Sequence, residues 1–120
     1  EDLTLPQLRA LYPEDKLETF SPSTPKTVNE LFDMVQADRQ RGYVLGEGFF
    51  ESNISSIAAP VRDHSGHIVA ALGATVTSDH IDESRMDEMV LRVRGTADEI
   101  SGLLNYSPAR AAKVVPLRSA

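Results

Sequence analysis

The chain has 120 residues, enough for one domain and hardly two, and its 18 acidic against 12 basic residues leave a net charge of −6. Bulk attraction to nucleic acid is thereby disfavoured, because phosphate binding needs a basic surface. Cysteine is absent, which removes disulfides and thiolate metal sites and fits a reducing cytoplasm, and no apolar run approaches the roughly 20 residues of a membrane helix.

The chain opens on Glu1 rather than Met, so a piece of a longer protein is expected. "LTLPQL" begins a helix: Thr4 and Gln7 have the spacing of a capping box, Leu3 and Leu8 that of a hydrophobic staple, and Pro6 sits in the first turn. Pro13 stops it near Tyr12. "SPSTP" at 21–25 reads as an extended connector into a second capping box, Thr27 to Glu30. Val28, Leu31, Phe32 and Val35 then form one helical face, ended by Gly42. "GYVLGEG" is a short strand, followed by an irregular "FFESN".

Two longer strands follow, Ile54 to Arg62 and Ile68 to Thr77, joined by "RDHSGH" with Gly66 free to take positive φ. So short a connection makes an antiparallel hairpin. Both faces of the second strand are apolar or small, which predicts a central strand covered on both sides. A long helix starts at Asp82, with Ile81 and Met86 placed for a staple, and Met86, Met89, Val90, Val93, Ala97, Ile100 and Leu104 recur with helical spacing. The pattern is lost from Ser107, so residues 107–120 are expected to be a flexible tail.

Catalytic chemistry is thin. Asp63, His64 and His67 crowd the hairpin turn, but a zinc site needs further ligands in fixed geometry, and solvated polar residues are ordinary there. The third histidine, His80, stands apart. Glu47 and Glu51 could pair as acid and base, or simply belong to an acidic surface. No serine has a nucleophile-elbow setting, and "GEGFFE" lacks the lysine and following helix of a phosphate cradle. No catalytic residue, metal or cofactor is expected. Met34, Met86 and Met89 read as core or interface filler. Gly73 and Thr75 share one side of their strand, and Ser56 can reach it from the neighbouring strand. Small residues there either pack under a helix or floor a pocket.

Residues 39–77 resemble the signature region of IclR-type bacterial transcriptional regulators. Arg41-Gly42-Tyr43, Ile57-Ala58-Ala59-Pro60-Val61, Asp63, Gly66 and Ala70-Ala71-Leu72 match its motifs in order and spacing. With the helices on either side, the resemblance covers about residues 3–105. It implies an α+β fold, a GAF/PAS-like antiparallel sheet with helices, incomplete relative to the full sensor domain. Residues 1–106 would be the C-terminal two thirds of the effector-binding domain. The winged helix–turn–helix through which such regulators bind DNA, as dimers or dimers of dimers, would lie in a missing N-terminal domain.

The family's acidic pocket residue falls on Gly46, its cysteine on Ser56, and its two small hydroxylated positions on Gly73 and Thr75. Ile54 matches an apolar wall, and Asn53 replaces a common glycine. Three of the four polar identities differ, so the effector class does not carry over, and loss of the acid and one serine should enlarge the space. The expected mechanism is a small organic-acid or aromatic effector held at its polar end by backbone N–H groups and the hydroxyls of Ser56 and Thr75, beside Gly46 and Gly73, with Ile54 and Leu45 along its apolar part. Ligand binding would shift a cytoplasmic homodimer or tetramer between two arrangements. Other readings are a GAF-type sensor or dimerisation module not linked to DNA binding, and a small enzyme, which a bound metal would revive.

Overall fold

The computed structural model describes residues 2–111, except for the side chains of His80, Arg110 and Ala111. Helix α1 spans Leu5–Leu11 and opens on the expected capping box: Gln7 N–H donates to the Thr4 hydroxyl, and Thr4 N–H donates to the Gln7 side chain at 2.9 Å. Helix α2 spans Val28–Arg41. The Thr27 hydroxyl accepts from Glu30 N–H, but the Glu30 carboxylate reaches Lys26 N–H at 2.7 Å, one residue before the reciprocal partner expected. Gly42 ends α2 at φ 84°, a left-handed conformation that costs a residue without Cβ little.

Strands β1 (Val44–Glu47), β2 (Ile54–Arg62) and β3 (Ile68–Thr77) form one antiparallel sheet in the order β1-β2-β3. Gly66 turns the β2–β3 hairpin at φ 86°. In that turn the Ser65 hydroxyl and N–H donate to Asp63, which holds its carboxyl below the usual carboxylate range. A depressed folded-state pKa means this small contribution is present at neutral pH and is lost only in acid. Helix α3 spans Glu83–Leu103 and is opened by Asp82, whose side chain accepts from Arg85 N–H at 2.9 Å.

Helix α3 lies on one face of the sheet. Ile57, Ala59 and Val61 of β2 are buried against Val90, Val93 and Ala97, with Met86, Met89 and Ile100 packed around them. Burial alternates strictly along β2, as a period of two requires when a single face is covered. The molecule measures 17 Å along its shortest axis, room for a sheet and one helix of about 10 Å diameter but not for a second layer. One buried hydroxyl stitches the layers together. Ser101 Oγ accepts from Arg62 N–H at 2.9 Å and donates to the Ala97 carbonyl at 2.7 Å.

Four expectations need correction. Among the described residues β3 is an edge strand paired only with β2, and its Gly73–Thr75 side is exposed, so it is neither central nor doubly covered. The 21–25 connector is not extended: Thr24 N–H closes a turn on the Ser21 carbonyl. Leu104 is the exposed cap after α3 rather than part of its buried stripe. Within the expected tail, α4 (Pro108–Ala111) is a helical turn, and residues 112–120 lie outside the described residues.

Two substitutions weigh these contacts. Ser101→Ala leaves Arg62 N–H without its acceptor and should cost about 1–2 kcal/mol; Ile57→Ala, at the most buried large side chain of the sheet, should cost about 3 kcal/mol. Urea unfolding should show a lower midpoint at unchanged slope for Ser101→Ala, and an unmoved midpoint would remove its assigned role.

Candidate functional site

The sheet face opposite α3 carries the small and polar positions singled out above. Register sets Gly46, Ser56 and Thr75 in one row across the three strands, and Val44, Ala58 and Gly73 in the next. Ser56 Oγ and Thr75 Oγ1 lie 3.2 Å apart, within hydrogen-bond reach, so each hydroxyl has a further lone pair or proton to offer outward. Ile54 pairs with Thr77 and points to the same side. Gly46, Ile54, Ser56, Gly73 and Thr75 are thus brought together on one face.

Leu45 is not. It pairs with Ile57 and packs with the α3 core, on the far side of the sheet. The cause is the pleat itself: adjacent residues of a strand point to opposite faces, so Leu45 and Gly46 cannot line one surface. Nor is the space over Gly46 enlarged. A Cβ on Gly46 would lie 2.7 Å from Cδ2 of Phe49, so the Phe49 ring rests directly on the bare glycine and buries it.

Sequence reasoning missed Phe49 and the residues that hold its loop. Thr24 Oγ1 donates to the Phe49 carbonyl at 2.6 Å, and Ser21 Oγ bonds the Gly48 carbonyl. The neighbouring Phe20 and Phe50 rings meet at 4.8 Å. The "SPST" hydroxyls were the available signal: such side chains bond backbone carbonyls and amides in preference to forming regular structure.

None of Gly46, Phe49, Ile54, Ser56, Gly73 and Thr75 carries a charge, so polar recognition here falls to hydroxyls and backbone groups. The face is open rather than enclosed. Grooves of about 570 and 580 Å³, one between β3 and α3 and one along α1 and the connector, share none of these residues. Among the described residues no group of three His, Cys, Asp or Glu could hold a metal ion, and no helix is long and apolar enough to cross a membrane. Glu47 and Glu51 are both exposed.

Comparison with known proteins gives one consistent picture. Residues 4–102 match the model of the bacterial transcriptional regulator IclR C-terminal family. The chain is 24% identical over 100 residues to the HTH-type transcriptional regulator XynR of Escherichia coli K12, covering 83% of this chain but 40% of that protein. It therefore spans less than half the length of this relative. In fold it is similar to the Agrobacterium tumefaciens repressor BlcR, with a TM-score of 0.76 at 23% identity over 88% of this chain and 43% of that one. It is also similar to the inducer-binding domain of the PobR transcription factor from Acinetobacter, a double mutant in complex with 3-hydroxybenzoic acid. That match has a TM-score of 0.68 at 25% identity, over 78% of this chain and 54% of the other. These relatives are transcriptional regulators, not enzymes, and the α+β architecture is theirs. With the family model matched along most of its length, the chain belongs to the IclR C-terminal family of bacterial transcriptional regulators.

Proposed function

We infer that the chain is the ligand-sensing part of a regulator that binds DNA through a winged helix–turn–helix outside these residues, and that its effector lies on the Ser56–Thr75 face. The observation that carries this reading is the Ser56–Thr75 hydroxyl pair, 3.2 Å apart on the sheet face that α3 leaves bare. Gly73 and Ala58 beside the pair present almost no side chain, so a flat molecule can approach the sheet closely. Phe49 stands at the Gly46 end as an aromatic wall, in place of the carboxylate that the family pattern puts at that position.

The effector this surface suits is a small organic or aromatic acid, the class to which 3-hydroxybenzoic acid in the PobR complex belongs. Its polar end would meet the two hydroxyls, and its ring or chain would lie against Phe49 and Ile54. Domains of this kind act as homodimers or tetramers in the cytoplasm in this account. An effector that favours one arrangement of the subunits over another shifts operator affinity by the same differential free energy.

A thermal-shift screen of the chain against small carboxylates and aromatic acids, with Thr75→Val in parallel, tests the assignment. A ligand should raise the native melting temperature and bind Thr75→Val several-fold to about tenfold more weakly, the worth of one hydrogen bond. Equal shifts in both would remove Thr75 from the site. Phe49→Ala should weaken aromatic acids more than aliphatic ones, and a uniform loss would contradict the aromatic wall.

A further inference from the structure

On the α3 side of the sheet, a cavity of about 210 Å³ is walled by the guanidinium-bearing side chains Arg39, Arg62 and Arg94, together with Asp98, Ser101 and Tyr106. The three arginines come from three different elements: the last turn of α2, the end of β2 and the middle of α3. One carboxylate, Asp98, faces them in the lining. Asp2 lies 3.9 Å from Arg62 and offsets its charge, so in a chain of net charge −6 it is Arg39 and Arg94 against Asp98 that leave a positive balance around a hollow with room for a small anion.

The surroundings are fixed rather than loose. The Arg94 guanidinium lies over the Tyr43 ring, 5.4 Å from its centre, and its Nη2 sits beside Gly42, where an added Cβ would be 3.6 Å away. Stacking occupies the face of a guanidinium and leaves its N–H edge free to bond. Arg41, the other cation on Tyr43, is held by an ion pair to Asp38 and is not among the cavity residues. Arg62 donates to the Gly66 carbonyl at 2.8 Å and lies 3.9 Å from the Asp2 carboxylate, so its guanidinium is already engaged and the anion falls to the other two arginines. Its backbone N–H is pinned by Ser101 at the cavity wall. Arg39 is exposed in the last turn of α2, where helix-end carbonyls offset part of its charge.

We propose that this cavity is a second ligand site, distinct from the Ser56–Thr75 face, that binds a small oxyanion through the N–H edges of Arg94 and Arg39. Paired N–H groups of a guanidinium match the paired oxygens of phosphate and carboxylate alike. Inorganic phosphate and succinate represent the two sources of that chemistry.

The test is calorimetric titration of the 120-residue chain with sodium phosphate and with sodium succinate, ionic strength held constant with sodium chloride. The same titrations follow on Arg94→Gln and on Arg39→Gln. At least one anion should bind the native chain, and each variant should bind it about tenfold more weakly, as expected for one charge-assisted hydrogen bond lost. Binding of phosphate alone would assign a phosphate-bearing ligand, and binding of succinate alone a carboxylate. Arg39→Gln alters an exposed side chain only, so it tests the site even if Arg94→Gln disturbs the Tyr43 stack. No binding of either anion, or equal binding by the native chain and both variants, would overturn the proposal.

Discussion

The sheet and the face it leaves bare depend on one apolar seam: Ile57, Ala59 and Val61 of β2 set against Val90, Val93 and Ala97 of α3. Once α3 covers those alternate positions, Ser56, Ala58 and Pro60 must point the other way, because a strand has no third direction. The register then carries the division to the neighbouring strands, placing Leu45 and Ala74 with the core and Gly46 and Thr75 on the bare face. The candidate site is thus a by-product of the seam. A slip of one residue in β2 would turn the site inward and the core outward.

The same logic explains the two polar features that join the layers. Ser101 sits in the buried stripe of α3, where an aliphatic side chain would be expected from the helical period, yet both its hydrogen-bonding roles are filled. A buried hydroxyl so satisfied costs little and fixes the axial position of α3 against the end of β2. Tyr43 does comparable service at the α2–β1 junction, where Arg41 and Arg94 lie over its ring at 4.9 and 5.4 Å. In consequence two of the arginines that wall the small cavity, Arg62 and Arg94, are held by contacts that also build the fold.

Much of this was legible in the sequence, for identifiable reasons. The limits of β2 and β3, the caps Thr4, Thr27 and Asp82, and the left-handed Gly42 follow from local rules of spacing and backbone freedom. Position within the sheet does not follow from such rules. The two apolar faces of β3 read as burial, but alternation cannot distinguish an edge strand from a central one. Leu45 could have been set aside from the sequence alone, since its neighbour Gly46 was already placed on the opposite face. Phe49 could not: nothing in "GEGFFE" says which ring turns back onto the glycine, and the choice depends on bonds from Ser21 and Thr24, more than twenty residues earlier. The family resemblance supplied the positions of the candidate site, whereas the departure at Gly46 has meaning only with the ring in view.

The two-sidedness of the sheet can be measured directly because the chain has no cysteine of its own. Thr75→Cys and Ala59→Cys would be made singly and the rate of reaction with a small thiol reagent followed under native conditions. The account predicts that the cysteine at 75 reacts at close to the rate of an unstructured thiol, while that at 59, in the seam under α3, reacts only as fast as the domain opens. Equal rates at the two positions, or protection at 75 with reactivity at 59, would contradict the assignment of the bare face and everything placed on it.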